Sequence, residues 1–264
     1  MRQPPFRATV LAFLLVLAGC ASAPTDPRDP FEPINRNVNS VDRAVDQAAL
    51  KPAAKGYEHS LPRLVRAGVS NFFANLGDPW SAVNNLLQLK VGNAAQDTMR
   101  FAVNTFFGLG GLLDIATGAG IERHKQDFGT TLAHWGVPPG PYLVLPLIGP
   151  STLRDTVALP ADWFGDPLRY VAPVADRNAL VAGRTVDIRA QMLPLDPVLD
   201  EALDRYTFMR DAYFQHRDAQ VHGTREGRED GSSTESQDTA SAPALEGGAD
   251  AASVSERIRT PEAP

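Results

Sequence analysis

Residues 101–121 hold a single charge, Asp114, and six of the 21 positions are glycine or asparagine: Asn104, Gly108, Gly110, Gly111, Gly118 and Gly120. A membrane-spanning helix needs about 20 apolar residues, so length alone permits one here. Composition argues against it. Glycine costs ~1 kcal/mol in a helix interior, and Gly108-Leu109-Gly110-Gly111 reads as a break between two apolar segments. A broken apolar element is tolerated at membrane depth where its backbone is buried in protein or faces a polar cavity. In water the same residues would make a core helix with a flexible turn, and the segment by itself leaves both readings open.

The run from Gly136 to Pro150 is the least helix-compatible stretch of the chain. Prolines at 138, 139, 141, 146 and 150 remove backbone donors and fix φ, so the run must extend or turn, with at most a short strand at Tyr142 to Leu145. It is apolar and uncharged, whereas loops are ordinarily polar and wet. Either it straps the core or it lines an apolar passage.

Elsewhere the apolar residues recur at helical spacing. Ile34, Val38, Val41, Val45 and Ala49 predict one helix, and Leu61, Leu64, Val65, Val69, Phe72, Phe73 and Leu76 predict a second from Pro62. Asp78-Pro79 reads as a cap and first-turn proline opening a third helix, which Gly92-Asn93 ends. Ala95, Met99, Ala102, Val103 and Phe106 begin a fourth. Ser151 is expected to cap a helix reaching Trp163, Asp176 to open another, and Asp196-Pro197 to start a last one running to about Ala219. The body is therefore mainly α.

At the N-terminus Arg2 and Arg7 precede a short apolar stretch, Ala8 to Ala18, that ends in Leu17-Ala18-Gly19-Cys20 and holds the only cysteine of the chain. This is the form of a bacterial lipoprotein signal. Cleavage after residue 19 would leave Cys20 as an acylated N-terminus, and at ~0.8 kcal/mol per buried methylene such an anchor is effectively permanent. Ala21, not aspartate, follows the cysteine, which under the usual sorting rule sends a lipoprotein to the outer membrane. Residues 20–30 are then a lipidated tether, 31–223 the helical domain and 224–264 an acidic tail. From Arg225 onward nine acidic and four basic residues sit among Ser, Gly, Ala and Pro, a composition that cannot build a core and predicts disorder. The body carries no basic face, which excludes nucleic acid as a partner.

Catalytic and metal signatures are sparse. Gly68-Val69-Ser70-Asn71 lacks the last glycine of a nucleophile elbow. His59, His124, His134, His216 and His222 are scattered, without the spacing or cysteine partners of a zinc site. His134 beside Trp135 reads as a packed histidine, and Arg154, Asp155, Arg210 and Asp211 as either an acid–base site or an ion-pair network tying helix ends. No cofactor is expected.

Six stretches stand in the order of a known family: DPFEPINR at 29–36, SNFFANL at 70–76, NTFFGLGGLLD at 104–114, FGTTLAHWG at 128–136, GPYLVLP at 140–146 running through Gly149-Pro150 to Leu153-Arg154-Asp155, and RDAYFQ at 210–215. On these the chain resembles the MlaA/VacJ family of outer-membrane lipoproteins. The resemblance implies a ring-like helical body in the inner leaflet of the outer membrane, with a channel that removes stray phospholipids from the outer leaflet. It also implies non-enzymatic transfer to a soluble periplasmic lipid carrier, for return to an inner-membrane transporter, and association with trimeric porins. A headgroup needs a polar path while its acyl chains stay in apolar surroundings. We therefore expect the lipid channel at Gly108, Leu109, Gly110, Gly111, Leu112 and Leu113 and at Gly140, Pro141, Tyr142, Leu143, Leu145 and Pro146, with Asn104 and Asp114 as polar contacts. The same glycines would also serve as helix stops and packing points. A porin-associated adaptor without transport activity is the alternative, and a lipid-modifying enzyme would need a nucleophile and base that the sequence does not offer.

Overall fold

A computed structural model describes residues 26–234, with side chains described through Val221. Cys20 and its signal lie outside the described residues, as does the tail from residue 235. The fold is mainly helical with one small sheet. Helix α1 (Glu32–Val45) passes through a π-helical turn (Asp46–Leu50) into α2 (Lys51–Ser60). Helix α3 (Arg63–Leu87) and α4 (Val91–Phe106) pack on one another, α5 (Ile115–Gly118) and α6 (Phe128–His134) follow, and a hairpin of β1 (Tyr142–Leu145) and β2 (Gly149–Thr152) leads to α7 (Leu153–Gly165). A 3-10 turn (Pro167–Tyr170), α8 (Val174–Met192), α9 (Asp196–Glu201) and α10 (Arg205–Thr234) complete the order. The strands pair antiparallel, Tyr142 opposite Thr152 and Leu145 opposite Gly149. Among the described residues no helix is long and apolar enough to cross a membrane.

Several expected boundaries move, each for a visible reason. Helix α3 runs unbroken through Pro79. Asp78 does not cap a new helix, because its carboxylate is 2.9 Å from Arg123 and 4.0 Å from Arg100, and the proline forfeits only the amide bond toward Asn75. The reversal after α3 occurs at Leu89, whose φ is +60°, so Gly92 and Asn93 lie inside α4. Thr152 instead of Ser151 caps α7, its side-chain oxygen accepting the Asp155 amide at 3.3 Å. The last helix divides at Ala202 because Asp204 makes a fresh cap, accepting from the Tyr206 amide at 3.0 Å and the Thr207 hydroxyl at 2.7 Å. Helix α10 then extends to Thr234, past the expected start of the tail, although the compact unit ends at Thr224.

Packing is the unexpected part. The apolar core around the hairpin is Tyr142, Val144, Tyr206 and Phe214 with Val38 and Tyr213 against it. In α3 and α4, by contrast, the buried stripe is polar: Asn75, Asp78, Ser81, Asn85 and Gln88 recur at three- and four-residue steps, and Asn75 donates to Thr105 at 3.0 Å and Asn85 to Asp97 at 2.8 Å, while Asp78 lies 4.0 Å from Arg100. Several large apolar residues of the same helices, Leu64, Val83, Leu86, Met99 and Phe106 among them, are exposed.

Candidate functional site

A cavity of about 690 Å³ opens beside α3. Phe73, Ala74, Gly77 and Trp80 of α3 and Ile188 of α8 give it apolar wall, and Arg123, Lys125, Arg184, Asp78, Asp162 and Asp187 give it charge. Its position follows from the polar stripe of α3: the helix turns Asn71, Asp78 and Ser81 inward, and the segment 123–127 and the ends of α7 and α8 close around them.

Most of the charges are paired. Asp78 meets Arg123 at 2.9 Å, and Arg184 meets Asp166 at 2.6 Å. Burial nevertheless outweighs the guanidinia at Asp78 and pushes its carboxyl up to about 6. Burial likewise raises Asp162, which accepts from Trp80 Nε1 and the Phe128 amide, both at 2.8 Å. Asp187 is buried, and its partners are neutral: Tyr57 Oη and Ser70 Oγ donate to it at 2.9 Å and Gln191 Nε2 at 2.8 Å. Ser70 thus shares its carboxylate with a phenol and an amide, not an imidazole. Among the described residues no group of three or more His, Cys, Asp or Glu side chains is placed to hold a metal ion. The chamber can hold an amphiphile, wetting a charged head while its apolar wall meets hydrocarbon.

The residues expected to form the channel do not line this cavity. Asn104 and Asp114 come together, as a structural joint: Asn104 Nδ2 donates to Asp114 at 3.1 Å, and its Oδ1 accepts the Ala116 amide at 2.9 Å. Asp114 caps α5 and is bound by Arg100 at 2.9 Å. Burial pushes its carboxyl up, but bonds from Thr117 and Asn104, with Arg100 beside it, prevail and hold it at about 2. A Cβ at Gly108 would stand 2.2 Å from the Leu113 carbonyl, and one at Gly111, where φ is +94°, 2.6 Å from Asn75 Nδ2. Gly110 has φ +73° with open space around it, and Leu109, Leu112 and Leu113 are exposed. This turn therefore presents leucines outward and is fixed inward to α3, where Asn71 Nδ2 donates to the Leu112 carbonyl at 3.2 Å. Asn71 also lines the cavity, so the turn borders the chamber without forming its wall.

Gly140 to Pro146 belongs to the hairpin core instead. Gly140 has φ +67° with Leu153 close by, the Pro141 carbonyl accepts the Leu153 amide at 3.0 Å, and Tyr142 is buried among Tyr206, Tyr213 and Phe214. Leu143 and Leu145 pair with β2, and Pro146 is in the turn. None of the seven lines the cavity. The charged group near the C-terminus is an ion-pair network: Asp155 holds Arg154 and Arg217, each at 2.9 Å, and Arg210 reaches Asp29 at 3.4 Å. The cavity residues of α3 are not evident from apolar spacing, which here marks the outer face of the helix. The polar spacing from Asn71 to Gln88 was the signal that would have found them.

A family model described as MlaA lipoprotein matches residues 27–220. The intermembrane phospholipid transport system lipoprotein MlaA of Escherichia coli (strain K12) is 35% identical over 216 residues, 79% of this chain and 85% of that protein. Its namesake in Haemophilus influenzae is 32% identical over 235 residues, covering 81% and 89%. An uncharacterised protein of Rickettsia typhi is 37% identical over 195 residues, covering 73% and 78%. A solved chain described under "Structural basis for maintenance of bacterial outer membrane lipid asymmetry" superposes with a TM-score of 0.65 at 34% identity, over 73% of this chain and 98% of that one. With the family model spanning nearly all of the described body and relatives above 30% identity, the chain belongs to the MlaA lipoprotein family.

Proposed function

We propose that this protein is a non-enzymatic lipoprotein, anchored through Cys20 in the periplasmic leaflet of the outer membrane, that takes phospholipids out of the outer leaflet. It hands them to a soluble periplasmic carrier and so maintains lipid asymmetry, with a trimeric porin as its neighbour in the membrane. The observation that carries this reading is the inversion of α3 and α4: hydrocarbon-compatible side chains outside, a hydrogen-bonded polar stripe inside, and a charged chamber against that stripe. A protein in water would not leave Phe106 and Leu64 82% and 79% exposed while burying Asn84 and Asp97 completely. In a leaflet the outer face is solvated by acyl chains, and the polar chamber spares a headgroup the cost of entering hydrocarbon. The glycine turn at 108–113, joined to the chamber rim through Asn71, would follow any movement of α3.

The test is a photo-crosslinking amino acid at Ala74, inside the chamber, compared with one at exposed Glu201. Phospholipid should label at 74 in living cells and not at 201. Equal labelling, or none at 74, would remove the chamber from the lipid path.

A further inference from the structure

A second, smaller cavity of about 190 Å³ shares Ser70, Asp187 and Gln191 with the main chamber and adds Tyr57, Arg63 and Arg66 on its far side. The three shared residues form a hydrogen-bonded partition: Gln191 Nε2 donates to Ser70 Oγ at 3.1 Å and to Asp187 at 2.8 Å, and Ser70 Oγ lies 2.9 and 3.0 Å from the two Asp187 oxygens. Ser70 has one hydroxyl proton, so its two contacts with Asp187 are alternatives. Three neutral donors therefore serve a carboxylate with about four acceptor positions. Asp187 is 2% exposed and no cation pairs with it among the described residues, an arrangement that leaves a buried negative charge uncompensated. Across the same pocket Arg66 gives Nη1 to Glu58 at 3.0 Å, while its Nε is buried with no acceptor, and Arg63 makes no ion pair among the described residues.

We propose that this small pocket seats a zwitterionic phosphoethanolamine headgroup, its ammonium against Asp187 and its phosphate against Arg63 and Arg66. The inference rests on the transport reading and adds a preference to it. An ammonium supplies the missing countercharge and a donor for the free acceptor position, and a phosphate oxygen supplies the acceptor that Arg66 Nε lacks. An anionic glycerol headgroup would satisfy the arginines and leave Asp187 uncompensated. The Ser70–Asp187–Gln191 partition is the step between the two cavities, because an arriving ammonium competes for the same carboxylate lone pairs.

The experiment measures binding of dihexanoyl phosphatidylethanolamine and dihexanoyl phosphatidylglycerol, below their micelle concentrations, to the full lipidated protein in detergent. Wild type should prefer the amine lipid by roughly tenfold, the scale of one buried charge-assisted hydrogen bond. Asp187→Asn should abolish that preference by weakening the amine lipid alone. Arg63→Gln, at an exposed position that makes no ion pair among the described residues, should weaken both lipids equally and keeps the test open if the Asp187 variant fails to fold. Equal binding of both lipids by wild type, or a preference that survives Asp187→Asn, overturns the headgroup assignment while leaving transport standing. Absence of binding by either lipid counts against the transport reading itself. O-phosphoethanolamine, which has no acyl chains, is the remaining arm: it should bind far more weakly, and binding as tight as the lipid's would assign the pocket to a soluble ligand and overturn the proposal.

Discussion

In the α3–α4 pair Asn84, Asn85 and Asp97 have no exposure, while Leu64, Met99 and Phe106 stand outside. Around the hairpin the order reverses: Tyr142, Tyr206 and Phe214 are inside, with the guanidinium of Arg28 4.5 Å above the Phe214 ring and that of Arg36 4.4 Å above Tyr206. The second region buries charge as well, Asp29 against Arg210 at 3.4 Å and Asp155 against Arg217 at 2.9 Å, each carboxylate also accepting from a tyrosine hydroxyl at 2.5 Å. One chain thus follows two burial rules. Where water is the solvent, removing apolar area from it drives packing. Where acyl chains are the solvent that gain vanishes, and hydrogen bonds and close packing must hold the helices together.

The comparison predicts where large losses lie. Arg100→Met should cost about 3 kcal/mol, because it removes a buried guanidinium that now binds the half-buried Asp114, Thr117 and the Ile121 carbonyl. Tyr142→Ala should cost a similar amount for the opposite reason, an aromatic void in an apolar core. Denaturant unfolding in detergent checks both. If Arg100→Met were mild, buried polar bonding would not be what holds the segment 114–121 to α4.

Acid should separate the regions next. Asp78 has a folded-state carboxyl near 6, above its unfolded value, so its charging opposes folding: its contribution is favourable below about pH 4 and is lost as pH rises through 6. At Asp155 burial pushes the carboxyl up but Arg217, Tyr213 and Arg154 bring it down to about 2. Its contribution is present above about pH 4 and is lost as pH falls toward 2. Melting curves from pH 7 to 2 should lose the first slope in Asp78→Asn and the second in Asp155→Asn. The reverse assignment would break the account.

Smaller effects sharpen it. Gly111→Ala, with a positive φ and Asn75 in contact, should cost ~1–3 kcal/mol, and Gly110→Ala, with a positive φ alone, about 1. Replacing Phe106 and Leu109 by serine should shift melting in detergent by under about 0.5 kcal/mol each yet weaken association with lipid vesicles. A large stability loss would place those residues in a packed core.

Much of the fold was legible because helical spacing, proline density and caps are local. The strand at Tyr142 to Leu145 and the helix before Trp163 came through on that basis. The wrong break at Asp78-Pro79 arises because an aspartate before a proline reads as a cap, but the Asp78 carboxylate is spent on distant Arg123, whereas Asp196-Pro197 does open a helix, one that stops early because Asp204 caps the next. The chamber was hidden for a different reason. Periodicity reveals two faces of a helix and leaves open which one is inside, and in α3 the solvent decides it. Gly108 and Gly111 drew attention as flexible points, whereas the backbone and Asn75 leave them no room for a side chain.

The most direct test of the central claim, that phospholipid passes through the chamber beside α3, is Gly77→Trp. Gly77 lines the cavity, a Cβ there meets nothing within 4 Å, and tryptophan has the higher helix propensity, so the variant should fold and narrow the chamber. With membrane association intact, phospholipid exposed on the surface of intact cells should rise to the level of a deletion strain. A folded, correctly located Gly77→Trp protein that keeps the surface as free of phospholipid as wild type would contradict the account.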